Sequence, residues 1–371
     1  MTAESLPIGG TAPGTEQTLA VRRFGQPGAR PKVYVQAGLH ADEPPGMLVA
    51  HHMMGLLQAE ADAGRMVGEI VVVPMANPIG LSQRLMGGLL GRFDLADGTN
   101  FNRGYPALAD GVAGAVADRL TGDAAGNAAL IRAALLDANA VSDATTPAEH
   151  LKRLLLGLAL DADLVLDLHC ENEGAVHLYT LTPLADQVGP LAALLGARAL
   201  LLASESGGHP FDEACSGPWL DLQTRFPGYP IPPACCAVTV ELRGEADVSH
   251  ALAAADADAL LAATVLAGAI DGPAPALPSA RCAPTNLSDA EFLVAPMPGV
   301  LVLHRAVGDD IAPGDLVAEV IDPASGTVSP LRARFAGVLF AQESARFVAA
   351  GRSVAKIAGT EARRTGRLLG A

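Results

Sequence analysis

Two residues three apart, His40 and Glu43 in VYVQAGLHADEPPG, stand where an apolar β-like run gives way to a helix-forming stretch. At a strand end, one turn can aim an imidazole and a carboxylate with that spacing at a single ion. The pair could equally belong to a surface loop, so the other chemistry-bearing residues decide. A hydrolytic zinc site needs three protein ligands and an open position for water, and the third ligand often comes from a distant strand. His169 is the candidate. It ends the apolar run DLVLDLHC and follows Asp167 by two, so both side chains share a face and the carboxylate can orient the imidazole. The alternative is a histidine that closes a strand at the surface. Asp163 reads as the strand's N-terminal boundary and Cys170 as packing on the opposite face.

Glu241 lies inside the apolar run AVTVELRG. A carboxylate is costly there unless it is paired or faces a site. Facing a site, it could take a proton from an activated water and pass it to a leaving nitrogen. Paired, its partner would be Arg243. Asn102 and Arg103 sit in the polar, Gly-rich loop GRFDLADGTNFNRGYP, where a guanidinium can grip a substrate carboxylate through two hydrogen bonds. A second arginine, Arg92 or else Arg84, could stabilise an oxyanion. The segment Glu171-Asn172-Glu173 is either a solvated loop or a contact for a substrate ammonium group. His51 and His52 lie on the helix after the first motif and compete as ligands only if that stretch is not helical; His177 and His209, possible site neighbours, read as ordinary polar residues, and Trp219 as a packing or pocket residue.

These residues need elements to hold them. TLAVRRF, KVYVQAG and EIVVVPMANP read as strands around the helix GMLVAHHMMGLLQAEA, which Pro44 and Pro45 introduce. Strand, helix, strand is an α/β signature. AALIRAALLDANA, PAEHLKRLLLGLAL, PLAALLGARAL and DVSHALAAADADALLAATVLAGAI read as helices, LYTLT as a strand, 207–233 as a Pro/Gly-rich loop and DGPAPALPSARCAPTN as a linker. The expected organisation is a catalytic domain over 1–283 and a C-terminal β domain over 284–371.

That tail contains an internal repeat. GVLVLHRAVGDDIAPGDLVAEV from Gly299 resembles GVLFAQESARFVAAGRSVAKI from Gly337, which suggests a pseudo-symmetric β-sandwich like the biotinyl/lipoyl modules. A carrier would need a lysine on the hairpin between the halves. DPASGTVSPLRARF has none, so a structural or site-covering role is expected.

The composition narrows the function classes. A formal charge of −15 argues against a polyanionic partner, because nucleic-acid binding needs a basic surface. No apolar run reaches the length of a membrane span, and the first residues lack a signal-peptide layout, so a cytoplasmic protein is expected. Five cysteines, two of them adjacent, read as reduced thiols.

GLHADE, NFNR, DLHC and VELRG, in that order and followed by a β-rich tail, resemble the zinc carboxypeptidase superfamily and, within it, the succinylglutamate desuccinylase/aspartoacylase family. The resemblance implies a mixed, mostly parallel central sheet flanked by helices. It implies one Zn²⁺ per chain on His40, Glu43 and His169, with Asn102 and Arg103 on the substrate carboxylate and Glu241 as the base. The implied reaction is amide hydrolysis of a small N-acyl amino acid, with Arg92 at the oxyanion. Two departures stand out: Ala41 follows His40 where the family usually has Gly, and the run ELRG looks more like the peptidase members. A metallocarboxypeptidase acting on short peptides and a non-catalytic metal-binding interaction protein are the alternatives. A homo-oligomer is left open.

Overall fold

The computed structural model describes residues 1–9, 13–366 and 368–369. Among them, a nine-stranded sheet runs in the order Thr2–Pro7, Thr18–Phe24, Glu69–Val73, Lys32–Ala37, Leu164–Glu171, Cys236–Gly244, His177–Leu181, Ala199–Ala203, Pro284–Asn286. Its central neighbours Glu69–Val73, Lys32–Ala37, Leu164–Glu171 and Cys236–Gly244 are mutually parallel. Antiparallel pairing enters at the first two strands and between Cys236–Gly244 and His177–Leu181. Every residue of Lys32–Ala37 and Glu69–Val73 is buried, as near-continuous apolar runs demand when helices cover both faces.

Helices Ala124–Ala140, Pro147–Ala159 and Phe211–Arg225 cover one face, where Ile131, Leu151 and Trp219 share a core with Tyr34 and Val165. Helices Pro45–Asp62, Ala185–Leu194 and His250–Leu266 cover the other through Met53, Leu191 and Leu260. Burying each such side chain contributes about 1.5–3 kcal/mol, so the strand ends that carry the polar residues rest on two well-filled layers. Pro45 opens its helix at the first turn, and Thr146 with Glu149 closes a capping box on Pro147–Ala159.

Three readings of the sequence are corrected. The 207–233 stretch contains the helix Phe211–Arg225, whose buried Phe211, Cys215, Trp219 and Leu222 repeat with helical spacing despite Pro218 inside it. PLAALLGARAL is not one helix: the helix ends at Leu194, Gly196 turns at φ 62°, and the last residues begin the strand Ala199–Ala203. The end of the supposed linker, Pro284–Asn286, pairs parallel with Ala199–Ala203.

Beyond Asn286 the chain forms antiparallel sheets. One joins Glu291–Val294, Ser353–Ala358, Gly337–Gln342 and Asp310–Ile311; the other runs Val328–Arg332, Leu316–Ile321, Gly299–Leu303, Phe347–Val348. Leu293, Leu339 and Ile357 of the first meet Leu301, Val317 and Val320 of the second in one apolar core. The two repeats share a constraint. A Cβ on Gly299 would lie 2.4 Å from Ile321 O and one on Gly337 would lie 2.2 Å from Ala358 O, so each half opens on a glycine that lets two strands meet.

The 171–173 segment is not a solvated loop, and Glu171 and Asn172 border a cleft. Glu171 pairs with Lys356, and Glu173 with Arg346 at 2.7 Å, while Glu173–Gly174 pairs with Gly337–Gln342. It is the seam between the main sheet and the C-terminal sheets. Among the described residues no helix is long and apolar enough to cross a membrane.

Candidate metal centre and its cleft

The strand Lys32–Ala37 ends one turn before His40, and Glu43 N–H donates to His40 O at 3.1 Å, which turns both side chains to the same side. His169 arrives on the adjacent parallel strand, and Glu241 stands beside it as its register partner on the next. His40, Glu43 and His169 are all buried, and their ligand atoms lie within 4.8 Å of one another.

The hydrogen-bond pattern tests whether a metal fits. His40 Nε2 lies 2.9 Å from Asn100 Oδ1, an oxygen that also accepts the Asn102 backbone N–H at 2.8 Å. The ring proton of neutral His40 therefore belongs on Nε2, and its Nδ1 lone pair faces Glu43 Oε1 at 2.9 Å. At His169 the ion-pair contact with Asp167 Oδ2, 3.0 Å from Nε2, favours the proton on that nitrogen over the longer Asn102 Nδ2 contact at 3.4 Å, while Nδ1 lies 2.8 Å from Glu43 Oε2. With both rings neutral, two imidazole lone pairs would face the two oxygens of one carboxylate and repel; a proton on His169 Nδ1 relieves one of these contacts. A divalent ion relieves both at once, and the acceptors behind the rings are the usual orienting groups of metal-binding histidines.

The same geometry governs the acid–base balance without an ion. Burial works against the charge of Glu43, yet His40 and His169 hold its carboxyl well below the usual range. Burial disfavours the charge of His169 too, but Asp167 and Glu43 on either side raise its pKa well above the ordinary value. Burial lowers that of His40. Glu241, pushed up to about 8 by burial and by Glu171 and Glu43, has an inaccessible Oε2 without a hydrogen-bond partner among the described residues. Arg243 does not neutralise it, since that side chain pairs with Asp256.

His40, Glu43, His169 and Glu241 border one cleft of about 570 Å³. Arg92 lies on its wall and donates to Glu43 Oε1 at 2.9 Å. Burial opposes its charge, but Glu43, Glu171 and Glu241 hold its pKa above the usual guanidinium value. Arg84 is not brought in: it sits in an exposed two-strand hairpin away from the cleft. Asn102 Oδ1 accepts Phe211 N–H at 2.9 Å, which directs its Nδ2 toward His169, 3.4 Å away. Arg103 lines the cleft, and its backbone oxygen accepts from the buried Lys152 at 2.6 Å.

Cys170 is buried beside the cleft, where its backbone N–H donates to Glu43 Oε2 at 3.1 Å, and burial pushes its thiol up. The remaining histidines lie outside. His52 meets His250 on the surface at 3.0 Å, His209 is exposed, and the buried ring of His177 packs on Phe340. Trp219 is a core residue under the Arg132 guanidinium.

Several residues of the site and its cleft carry no conspicuous motif. Asn100 orients His40, and its signal was available in TNFNR, where a second asparagine precedes the pair that was chosen. Asp212, raised to about 7 by burial and by Glu213, belongs to the helix hidden behind prolines. Arg352, Lys356 and Arg364 reach the cleft from the C-terminal sheets and the segment after them, which no local motif announces.

The succinylglutamate desuccinylase/aspartoacylase catalytic domain matches residues 29–267. No curated protein sequence matches at a significant level. Among solved structures, one described as a succinylglutamate desuccinylase/aspartoacylase family protein from Shewanella amazonensis superposes with a TM-score of 0.84 at 27% identity, covering 96% of this chain and 98% of that one. A second with that description, from Shewanella frigidimarina, gives 0.84 at 26%, covering 96% of each chain. A succinylglutamate desuccinylase/aspartoacylase from Rhodobacter sphaeroides shares the fold, with a TM-score of 0.66 at 16% identity over 96% of this chain and 94% of that one.

Proposed function

Because the chain belongs to the succinylglutamate desuccinylase/aspartoacylase family, we propose that it is a zinc-dependent hydrolase that cleaves the amide of a small N-acyl amino acid. What supports the reading is the buried His40–Glu43–His169 cluster, lone pairs turned inward, in a cleft that Glu241 and Arg92 also border. Bound there, a Zn²⁺ ion would polarise a carbonyl and make a water acidic enough to attack near neutral pH.

The chain's own groups divide the rest of the work. Glu241 is the proton carrier: a carboxyl whose pKa lies near neutrality takes a proton from the attacking water and returns it to the leaving nitrogen at small cost. Arg92 reaches the cleft beside Glu43, where its guanidinium would stabilise the developing oxyanion. Asn102 and Arg103 hold the substrate carboxylate, their loop braced by Lys152 on Arg103 O. The C-terminal sheets, with their biotinyl/lipoyl-like repeat, act as a wall of the cleft and not as a carrier.

The test is hydrolysis of a panel of N-acyl amino acids beside a panel of dipeptides, by wild type and Glu241→Gln with zinc content measured. Turnover of acyl amino acids that Glu241→Gln loses while keeping its zinc is the expected result. Zinc retained with no amide hydrolysed by the wild type rejects the proposal, and preference for dipeptides transfers it to a carboxypeptidase.

A further inference from the structure

The four-stranded C-terminal sheet has one face in the core shared with its neighbouring sheet and one face turned outward. On such a sheet the outward positions should alternate to polar residues. They do not. The strand register aligns Phe347 with Val300, Val300 with Ile321 and Ile321 with Val328, one apolar row across all four strands. Phe347 is 68%, Val300 38% and Val328 49% exposed. The next outward row is Val302, Glu319 and Pro330, with Glu319 held by His304 at 3.0 Å. The run Gly299–Leu303, GVLVL, is apolar on both faces, the pattern of a strand covered from both sides.

Two further observations say how the face is covered and by what. Both sheet edges are blunted, one by a strand of only two residues, Phe347–Val348, the other by Pro330, so strand addition is disfavoured and face-to-face packing remains. The charge is also unevenly distributed: residues 284–371 contain nine Asp or Glu and nine Lys or Arg, which leaves the whole formal charge of −15 on residues 1–283. Two copies that meet through residues 1–283 bring acidic bodies together, whereas this face lies on the neutral segment and is apolar. A basic partner would prefer the acidic body.

We infer that the outer face of this sheet is where two copies of the chain associate, sheet on sheet, around the Phe347–Val300–Ile321–Val328 row. The same residues then serve both sides of a two-fold contact. The exposed row offers roughly 300–400 Å² of apolar surface per copy, less than the about 800 Å² per partner of a standard interface, so the association is weak and concentration-dependent.

Sedimentation of the full chain between about 1 and about 200 µM tests this. The wild type should pass from monomer to dimer in that range. Phe347→Asp and, independently, Val328→Asp should each weaken dimerisation at least about ten-fold, with unchanged melting, because both side chains are exposed. Val294→Asp, at an exposed position on the other sheet, should leave it unchanged. A wild type monomeric throughout overturns the inference and leaves the face to an unlike partner or to none. A dimer that survives both row substitutions overturns it as well.

Discussion

Asp167→Asn changes one atom, and the geometry around it makes its effect specific. Asp167 is fully buried; its Oδ1 accepts Gln36 Nε2 at 2.8 Å, and Gln36 is fixed in turn by Tyr34 on its oxygen at 2.9 Å. An asparagine must therefore keep its oxygen toward Gln36 and turn its NH₂ toward His169 Nε2, where a carboxylate oxygen now lies 3.0 Å away. The ring can meet that donor only as an acceptor, so its proton moves to Nδ1, the atom that faces Glu43 Oε2. Zinc binding then requires the wrong tautomer to be undone. Substitution of such an orienting group weakens metal binding by about 10–100-fold, or roughly 1.4–2.7 kcal/mol. Competition for zinc against a chelator measures it. Because His169 carries a second proton in the metal-free wild type well above the ordinary histidine range, zinc must displace that proton, and wild-type affinity rises with pH. Removing the carboxylate also removes part of that competition, so the gap between variant and wild type should be widest in alkaline solution and narrow toward acid. Equal affinities at alkaline pH, in a variant with native circular dichroism, would refute the tautomer argument.

Other expectations follow from the same site. Glu241→Gln should lower kcat by about 10²–10⁴-fold with zinc retained. It should also raise the melting temperature near pH 8, since it removes a carboxylate that burial disfavours. Arg92→Ala should cost about 10²–10³-fold in kcat if the guanidinium serves the oxyanion, with partial recovery in Arg92→Lys; a change in KM alone would move Arg92 to substrate binding. Stability of the metal-free protein should depend on pH on both sides. Glu43, lowered below its ordinary 4.5, contributes stability above that pH that is lost as pH falls through its folded value. His169, raised above 6.5, contributes stability fully present below 6.5 and lost as pH rises through its folded value, and raised Glu241 adds to the alkaline loss. Calorimetry should thus show a maximum between the two, and zinc should flatten the alkaline side; a metal-free protein of constant stability from pH 6 to 9 would contradict the protonation scheme.

How much of this was legible depended on whether the signal was local. His40, Glu43, His169 and Glu241 stand at the ends of apolar runs, and a strand buried on both faces announces itself by composition alone. The helix Phe211–Arg225 was not read, because Gly217, Pro218 and the flanking prolines carry the propensity of a loop, while the apolar spacing of four, four and three that packs it was outweighed. The roles of Glu171 and Glu173 could not be read at all, since their partners Lys356 and Arg346 lie more than 170 residues away. The same holds for the cations Arg352, Lys356 and Arg364 that reach the cleft: only tertiary packing assigns them a place.

The central claim is that one zinc ion sits among His40, Glu43 and His169. Anomalous diffraction from a crystal of the zinc-supplemented protein, at the zinc edge, tests it most directly. A single strong peak within bonding distance of His40 Nδ1, His169 Nδ1 and the Glu43 carboxylate is predicted; a peak elsewhere, or none at that point, would contradict the account.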